Sequence, residues 1–154
     1  MAFCVSTAFG EMNLAINATP STVYQKLMDP AQCKHWMMGG GAFGVEDVTR
    51  VAPDTGAKNA FMGKVKEMTS TTQCLYEVTE SKLNEFIRME CKMVYYADET
   101  STKEVMVNNP TLKFRSDFYF FEAKNGGTEI IRQIEDFEHS KTFFFACYLN
   151  TWDI

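Results

Sequence analysis

The chain has 154 residues, of which 45% are hydrophobic and 23% charged, and its 15 basic and 20 acidic side chains give a net charge of −5. This length suits a single domain, residues 1–154, with a sizeable core. The acidic balance disfavours nucleic acid and anionic membrane surfaces as partners, because both bind clustered basic faces. No apolar run approaches the roughly 18 residues of a membrane span, and the N-terminus lacks a signal-peptide pattern, so we expect a cytoplasmic protein.

The N-terminal part predicts one strand followed by a short helix. Residues 3–9 and 12–16 alternate apolar and polar side chains, which indicates a long first strand with a bulge or bend at Gly10. Thr19 is a suitable N-cap, and Pro20 fits the first helical position, where its missing N–H costs nothing. The buried face of this helix is predicted to carry four side chains, Val23, Tyr24, Leu27 and Met28.

The rest of the chain predicts a second short helix and then a run of strands. Asp29 and Pro30 begin that helix, which ends near Trp36, and Gly39–Gly41 follows as a turn. Short polar links make the later strands antiparallel neighbours. These strands are predicted at 45–51, 60–68, 73–80, 84–95, 112–122 and 128–137. The polar segment 97–109 is predicted to be an exposed connection, with partial pairing as an extended hairpin as the alternative.

The order strand, helix, helix, glycine-rich turn and six strands resembles the START-like superfamily, also called SRPBCC or helix-grip. The segment 16–36, with its two prolines and Trp36, and Gly127-Thr128 before the last strand carry the resemblance. This superfamily includes polyketide cyclases, the birch-pollen-allergen group and heat-shock-protein ATPase activators. The resemblance implies an α+β fold in which a curved seven-stranded antiparallel sheet carries two short helices and a C-terminal helix across its concave side.

The C-terminal helix is expected to be shorter than the resemblance implies. About 14 residues follow the last predicted strand, which is on the order of 20 Å of helix. Four side chains would share one face of it, Phe145, Tyr148, Leu149 and Trp152. An aromatic segment that the sheet does not cover would suit the interface of a homodimer.

The sequence lacks motifs for nucleophilic or metal chemistry. The two histidines, His35 and His139, have no His-x-x-x-His spacing, and the five cysteines form no Cys-x-x-Cys pair. We therefore predict reduced thiols, no metal site and no cofactor. The default interpretation of His35 is a histidine favoured by the helix dipole, and the alternative is a catalytic base near the entrance of the expected cavity.

The strand 112–122 separates an apolar face from a charged one. The side chains of one face are mostly apolar and should point to the concave side of the sheet. They are Leu112, Phe114, Ser116, Phe118 and Phe120. The other parity forms a solvated face with Lys113, Arg115, Asp117 and Tyr119. An outward charged face is also predicted for Arg88, Glu90 and Lys92.

Both faces of the strand 128–137 mix apolar and polar side chains. Ile130, Arg132, Ile134 and Asp136 alternate with Ile131, Gln133, Glu135 and Phe137. This pattern predicts either a polar group pointing inward or a bulge. The default interpretation places Arg132 and Asp136 on the outer surface in cross-strand ion pairs. The alternative makes them the polar floor of an aromatic pocket.

The predicted function is binding of a hydrophobic or amphipathic small molecule in the cavity between sheet and C-terminal helix. The residues expected to line it are Tyr76, Met89, Phe114, Phe118, Phe120, Arg132, Phe145 and Tyr148. The first alternative is a polyketide cyclase or dehydratase, whose electrophile would be Arg132 and whose proton-transfer groups would be Asp136, Tyr119 or His35. The second is a co-chaperone-like interaction module that acts through its surface.

Overall fold

The computed structural model describes residues 10–33, 45–51, 59–66, 71–94, 102–110 and 112–139. The strands are β1 Gly10–Ile16, β2 Val45–Val51, β3 Asn59–Lys66, β4 Thr71–Lys82, β5 Phe86–Val94, β6 Leu112–Glu122 and β7 Thr128–His139. The helices are α1 Pro20–Leu27, α2 Pro30–Cys33 and α3 Lys103–Asn108. The predicted fold class is confirmed, an α+β fold with a curved seven-stranded antiparallel sheet and two short helices after the first strand. The expected C-terminal helix and residues 3–9 of the first strand lie outside the described residues.

The strand order in the sheet is β1-β7-β6-β5-β4-β3-β2, so the first two strands of the chain form opposite edges. Each of β2 to β6 pairs with the next strand in sequence, as the short links predict. The bulge predicted as one alternative for the last strand occurs in β7. Its register with β6 shifts between Lys113 and Arg115, whose partners are Glu138 and Glu135, so β7 contains one extra residue there.

Helix α1 begins and packs as its sequence predicts. Thr19 is the N-cap, and its hydroxyl accepts a hydrogen bond from the backbone N–H of Thr22 at 3.3 Å. Pro20 occupies the first helical position. Among the four predicted side chains, Val23 and Leu27 are buried, and Tyr24 and Met28 pack against the same core. The helix therefore covers one face of the sheet, which we call the inner face.

The opposite face, which we call the outer face, carries a second and smaller core. Met106 of α3 is buried there against Ala60 of β3 and Leu75 of β4. The prediction of an exposed connection or hairpin across 97–109 is therefore wrong for α3. Thr102 is its N-cap residue by position, and the helix of 6 residues is shorter than two turns. Its stability depends on the apolar contacts under Met106, because so short a helix is marginal alone.

Two contacts tie the ends of α1 to distant strands. Arg50 of β2 donates to the Met28 carbonyl at 3.2 Å and to Asn59 Oδ1 at 2.8 Å. At the other end, the Thr128 hydroxyl donates to the Ala18 carbonyl at 2.6 Å. A Cβ added at Gly127 would lie 2.6 Å from the backbone oxygen of Ile16, so this position in the β6–β7 turn requires glycine.

Candidate functional site

The inner face is an apolar surface built by strand alternation. Its buried side chains come from β3 to β7 and are Phe61, Cys74, Tyr76, Val78, Ile87, Met89, Cys91, Met93, Phe114, Phe118, Phe120, Ile130 and Ile134. Aromatic rings meet edge to face, with centroids 6.1 Å apart for Tyr24 and Phe120 and 6.2 Å apart for Tyr76 and Phe114. This face is therefore apolar, and five of the thirteen buried side chains are aromatic.

Arg132 of β7 places one charged group in this apolar surface. Its side chain is 2% exposed and lies directly opposite Phe118 of β6 in the register. Nε donates to Ser116 Oγ at 3.0 Å, and the guanidinium carbon lies 5.1 Å from the centre of the Phe118 ring. Tyr76 also hydrogen-bonds the guanidinium. Within the described ranges, Arg132 is the charged side chain buried on the inner face.

The electrostatics of this cluster follow from its burial. Desolvation lowers the pKa of Arg132, and the neighbouring Tyr76 and Cys91 oppose that shift. An arginine still remains protonated at neutral pH. Burial likewise raises the pKa of the Cys91 thiol well above its ordinary value, so that thiol is neutral. The site therefore combines one cation with a hydroxyl, a phenol, a thiol and a ring face.

The structure brings most of the predicted ligand-binding residues together. Six of them lie on the inner face, namely Tyr76, Met89, Phe114, Phe118, Phe120 and Arg132. The default interpretation of Arg132 as an outer-surface ion pair is wrong, because its register with β6 directs it inward. Phe145, Tyr148 and His35 lie outside the described residues, as does the side chain of Asp136.

Sequence reasoning did not include Ser116 and Cys91 in the site. Alternation placed Ser116 on the apolar face of β6, but its role as the acceptor for Arg132 needs the β6–β7 register. Cys91 belongs to β5, where buried side chains alternate with less buried ones. That period of two was the available signal for Cys91.

Tyr119 lies on the outer face, as its parity predicts, and is therefore separated by the sheet from Arg132. Its hydroxyl donates to Asp117 Oδ2 at 3.3 Å. Asp117 itself is 3% exposed, so the prediction of a fully solvated face is wrong at this residue. The side chains of Arg88 and Arg115 lie against its carboxylate, which explains the burial.

Asp117 is the centre of a charge network on the outer face. Arg88 donates from Nε to Oδ1 at 3.0 Å and from Nη2 to Oδ2 at 3.1 Å, which raises the pKa of Arg88. Arg115 Nε lies 3.3 Å from Oδ2. Glu80 continues the network from Arg88 at 2.9 Å, and Glu135 continues it from Arg115. Signs alternate along this network, so each charge lies beside an opposite one.

Two further structural findings bear on the class of site. In the part of the chain that the structure describes, no cluster of three or more His, Cys, Asp or Glu side chains is arranged to hold a metal ion. In addition, none of the described helices combines the length and the apolar character that crossing a membrane requires.

Comparison with known proteins identifies the fold. No family model and no curated protein matches the sequence. Among solved structures, the Zhui aromatase/cyclase from Streptomyces sp. R1128 is 10% identical with a TM-score of 0.60, over 89% of this chain and 71% of that chain. Ara h 8.0201 is 11% identical with a TM-score of 0.60, over 94% of this chain and 85% of that chain.

A third solved structure extends this set. The Aha1 dimer from Colwellia psychrerythraea is 15% identical with a TM-score of 0.53, over 92% of this chain and 85% of that chain. All three have START-like, or SRPBCC, folds, and identities this low establish the fold alone. The seven-stranded sheet, the two short helices after β1 and these neighbours together show that this chain has the START-like, helix-grip fold.

Proposed function

We propose that this protein binds a hydrophobic or amphipathic small molecule against the inner face of its sheet. The observation that carries the proposal is the continuous apolar surface from β3 to β7, which contains five aromatic rings and two methionines, with the polar cluster around Arg132 set into it. Ligand sites in proteins are mostly apolar and contain a few polar groups that orient the ligand. Met89 and Met93 add adaptable side chains, which suit a ligand of irregular shape.

A first experiment identifies the ligand directly. Native mass spectrometry of the purified protein, followed by denaturing extraction and chromatography, reports any bound molecule and the oligomeric state together. We expect a co-purifying apolar molecule at substoichiometric or full occupancy. The same spectrum tests the expected homodimer, which would appear at twice the mass of the chain.

A second experiment tests the inner face with a neutral fluorescent probe, N-phenyl-1-naphthylamine. Ile134→Trp enlarges a buried inner-face side chain, whereas Ile131→Trp makes the same change on the outer parity of β7. We expect the first variant to weaken probe binding by about tenfold or more and the second to leave it unchanged. Circular dichroism and melting curves check that both variants are folded.

Two results would count against the proposal. One is a wild-type protein that carries no extractable molecule and binds no probe. The other is equal loss of probe binding in Ile134→Trp and Ile131→Trp, which would place the probe away from the inner face.

One observation favours an enzyme as a second candidate. Arg132 and Tyr76 are hydrogen-bonded on the inner face, where a guanidinium could polarise a ketone and a phenol could move a proton. Such a pair suits a cyclase or dehydratase acting on a polyketide-like precursor. Because Tyr119 lies on the outer face, Tyr76 replaces it as the proton-transfer group in this hypothesis.

Tyr76→Phe tests the enzyme hypothesis, because it removes the hydroxyl and keeps the ring. Wild-type protein and variant would be incubated with a poly-β-ketoacyl thioester mimic, and cyclised or dehydrated products followed by mass spectrometry. An enzyme predicts product with the wild type, loss of product with the variant, and unchanged probe binding. Binding without product in the wild type supports a carrier.

A further inference from the structure

We propose that the exposed edge of β1 is an interaction surface, and that its partner is the β1 edge of a second copy of this chain, paired antiparallel about Asn13. Among the described strands, β1 lies at the end of the sheet and pairs with β7. A strand in this position presents a row of backbone N–H and C=O groups that another strand can pair with. This surface is independent of any ligand on the inner face.

The backbone groups that point away from β7 belong to the odd-numbered residues of β1. The carbonyl oxygen of Ile16 lies only 2.6 Å from the position that a Cβ on Gly127 would take, so this carbonyl points towards β7. In an antiparallel pair, every second residue directs both its N–H and its C=O to the same neighbour. The residues that direct theirs to the open edge are therefore Glu11, Asn13 and Ala15.

The other edge of the sheet, β2, has protection that β1 lacks. The register of β2 with β3 shifts between Val45 and Asp47, and helix α2 lies beside β2. Arg50 of β2 also donates a hydrogen bond to the Met28 carbonyl. Bulges, charged side chains and covering helices are the usual means of protecting a sheet edge. By contrast, the register of β1 with β7 is unbroken over Gly10–Ile16, and this strand contains neither lysine nor proline.

Pairing about Asn13 uses the whole strand and keeps like charges apart. With Asn13 opposite its own copy, Glu11 of each chain lies opposite Ala15 of the other, and the resulting pairs form about six backbone hydrogen bonds. The two Glu11 carboxylates are then about 14 Å apart along the strand direction. A register centred on Met12 or Leu14 would form about four such bonds within β1.

The side chains of β1 also match in this register. Glu11, Asn13 and Ala15 are exposed, whereas Met12 and Leu14 are partly buried on the other side of the strand. Met12 of one copy would lie beside Leu14 of the other, which pairs apolar with apolar. The two Asn13 amides would lie opposite one another without a charge between them. This self-complementarity is the reason for assigning the edge to a second copy of the chain.

The test uses the position of Asn13, which would face itself across the two-fold axis. Sedimentation equilibrium and native mass spectrometry of the wild-type protein from about 1 to about 100 μM should show a monomer–dimer equilibrium. Asn13→Asp and Asn13→Lys each place like charges opposite one another and should weaken dimerisation by about fivefold or more. An equimolar mixture of the two variants should restore dimers of mixed composition, because opposite charges then face each other. Thr49→Asp, at an exposed position of β2, is the control and should leave the dimer unchanged.

Three results would overturn the proposal. One is a wild-type protein that stays monomeric at about 100 μM. Another is a dimer that persists in both Asn13 variants, which would locate the interface on another surface, such as the C-terminal aromatic segment. The third is loss of the dimer in both variants without recovery in their mixture, since Asn13 would then not face its own copy. None of these results changes probe binding to the inner face, so the proposed function is tested separately.

Hydrogen exchange of the wild-type protein provides a second measurement that needs no variant. The amides of Glu11, Asn13 and Ala15 should exchange about tenfold or more slowly at about 100 μM than at about 1 μM, because pairing protects them. The amides of Met12 and Leu14 point towards β7 and should change much less. Equal exchange of the odd-numbered amides at the two concentrations would also overturn the proposal.

Discussion

The two faces of this sheet use charge in opposite ways although the same strands build both. On the outer face, charges of alternating sign extend from Glu80 through Arg88, Asp117 and Arg115 to Glu135. On the inner face, Arg132 is set into apolar side chains and contacts hydroxyls and an aromatic ring. The outer network joins four neighbouring strands, whereas Arg132 lies among the apolar side chains of the inner face.

This difference shows that burial alone does not reveal the role of a charged residue. Asp117 and Arg132 are almost equally buried, at 3% and 2% exposure. Asp117 is surrounded by cations and a phenol of its own chain, which makes its burial a matter of sheet stability. The contacts described for Arg132 are instead Ser116, Tyr76 and Phe118, so similar burial arises in two different chemical settings.

The largest effect should come from shortening an inner-face aromatic residue. Phe118→Ala removes a fully buried ring under Arg132, and we expect the free energy of unfolding to fall by about 3–5 kcal/mol. Phe121→Ala, on the same strand at 50% exposure, is the control and should change it by less than about 0.5 kcal/mol. Urea unfolding measures both variants. Equal losses would mean that the inner face is not the main core.

Removing the centre of the outer network should have an intermediate effect. Asp117→Asn leaves Arg88 and Arg115 beside a neutral side chain, and we expect the free energy of unfolding to fall by about 1–3 kcal/mol. Both arginines are about a third exposed, so water limits the loss. Glu129→Gln, an exposed change on β7, is the control. Urea unfolding at low and high salt is the measurement, and a loss equal to that of Glu129→Gln would contradict the network.

The inner face should also make stability depend on pH through Cys91. Its thiol has a pKa raised above the ordinary 9.0, so the folded chain keeps a proton that the unfolded chain loses. This contribution is fully present below about pH 9 and is lost as the pH rises towards the folded pKa. Above about pH 9, the free energy of unfolding of the wild type should fall, relative to that of Cys91→Ala, by up to about 1.4 kcal/mol per pH unit. Urea unfolding of both proteins from about pH 8 to about pH 10 measures this effect. A difference in free energy of unfolding that stays constant across this range would contradict the prediction.

An isolated surface ion pair should contribute least. Lys82 and Glu85 lie 2.6 Å apart in the β4–β5 turn, with 63% and 57% of their side chains exposed. Lys82→Ala should lower the free energy of unfolding by less than about 0.5 kcal/mol, because water and salt screen the pair. A thermal melt compared with that of Asp117→Asn checks this ranking. A larger fall in melting temperature for Lys82→Ala than for Asp117→Asn would show that the network around Asp117 stabilises the protein less than the Lys82–Glu85 pair does.

The strands and the first helix could be predicted because each has a local signal. Thr19 and Pro20 specify the start of α1, and the period-two pattern of 112–122 gives β6 with its observed bounds. Helix α3 has no such signal, because its six residues are too few to show a helical period. Its position depends on the apolar contact between Met106 and the outer face, which arises only in the folded sheet.

The orientation of Arg132 could not be decided from the sequence for a similar reason. Both parities of β7 mix apolar and polar residues, and only pairing with β6 sets Arg132 opposite Phe118. A one-residue slip would exchange the two faces of β7. The burial of Asp117 likewise depends on Arg88, which lies on a neighbouring strand 29 positions earlier in the chain.

The pairing of β1 with β7 has a consequence for the time course of folding. The hydrogen bond from Thr128 to Ala18 joins residues 110 positions apart, and β1 has β7 as its neighbour in the sheet. At a synthesis rate of about 5–20 residues per second, β1 leaves the ribosome roughly 5–20 s before its partner is made. The strands β2 to β6 pair with sequence neighbours and can assemble during that interval. We therefore expect docking of β1 onto β7 to be the last step in forming the sheet.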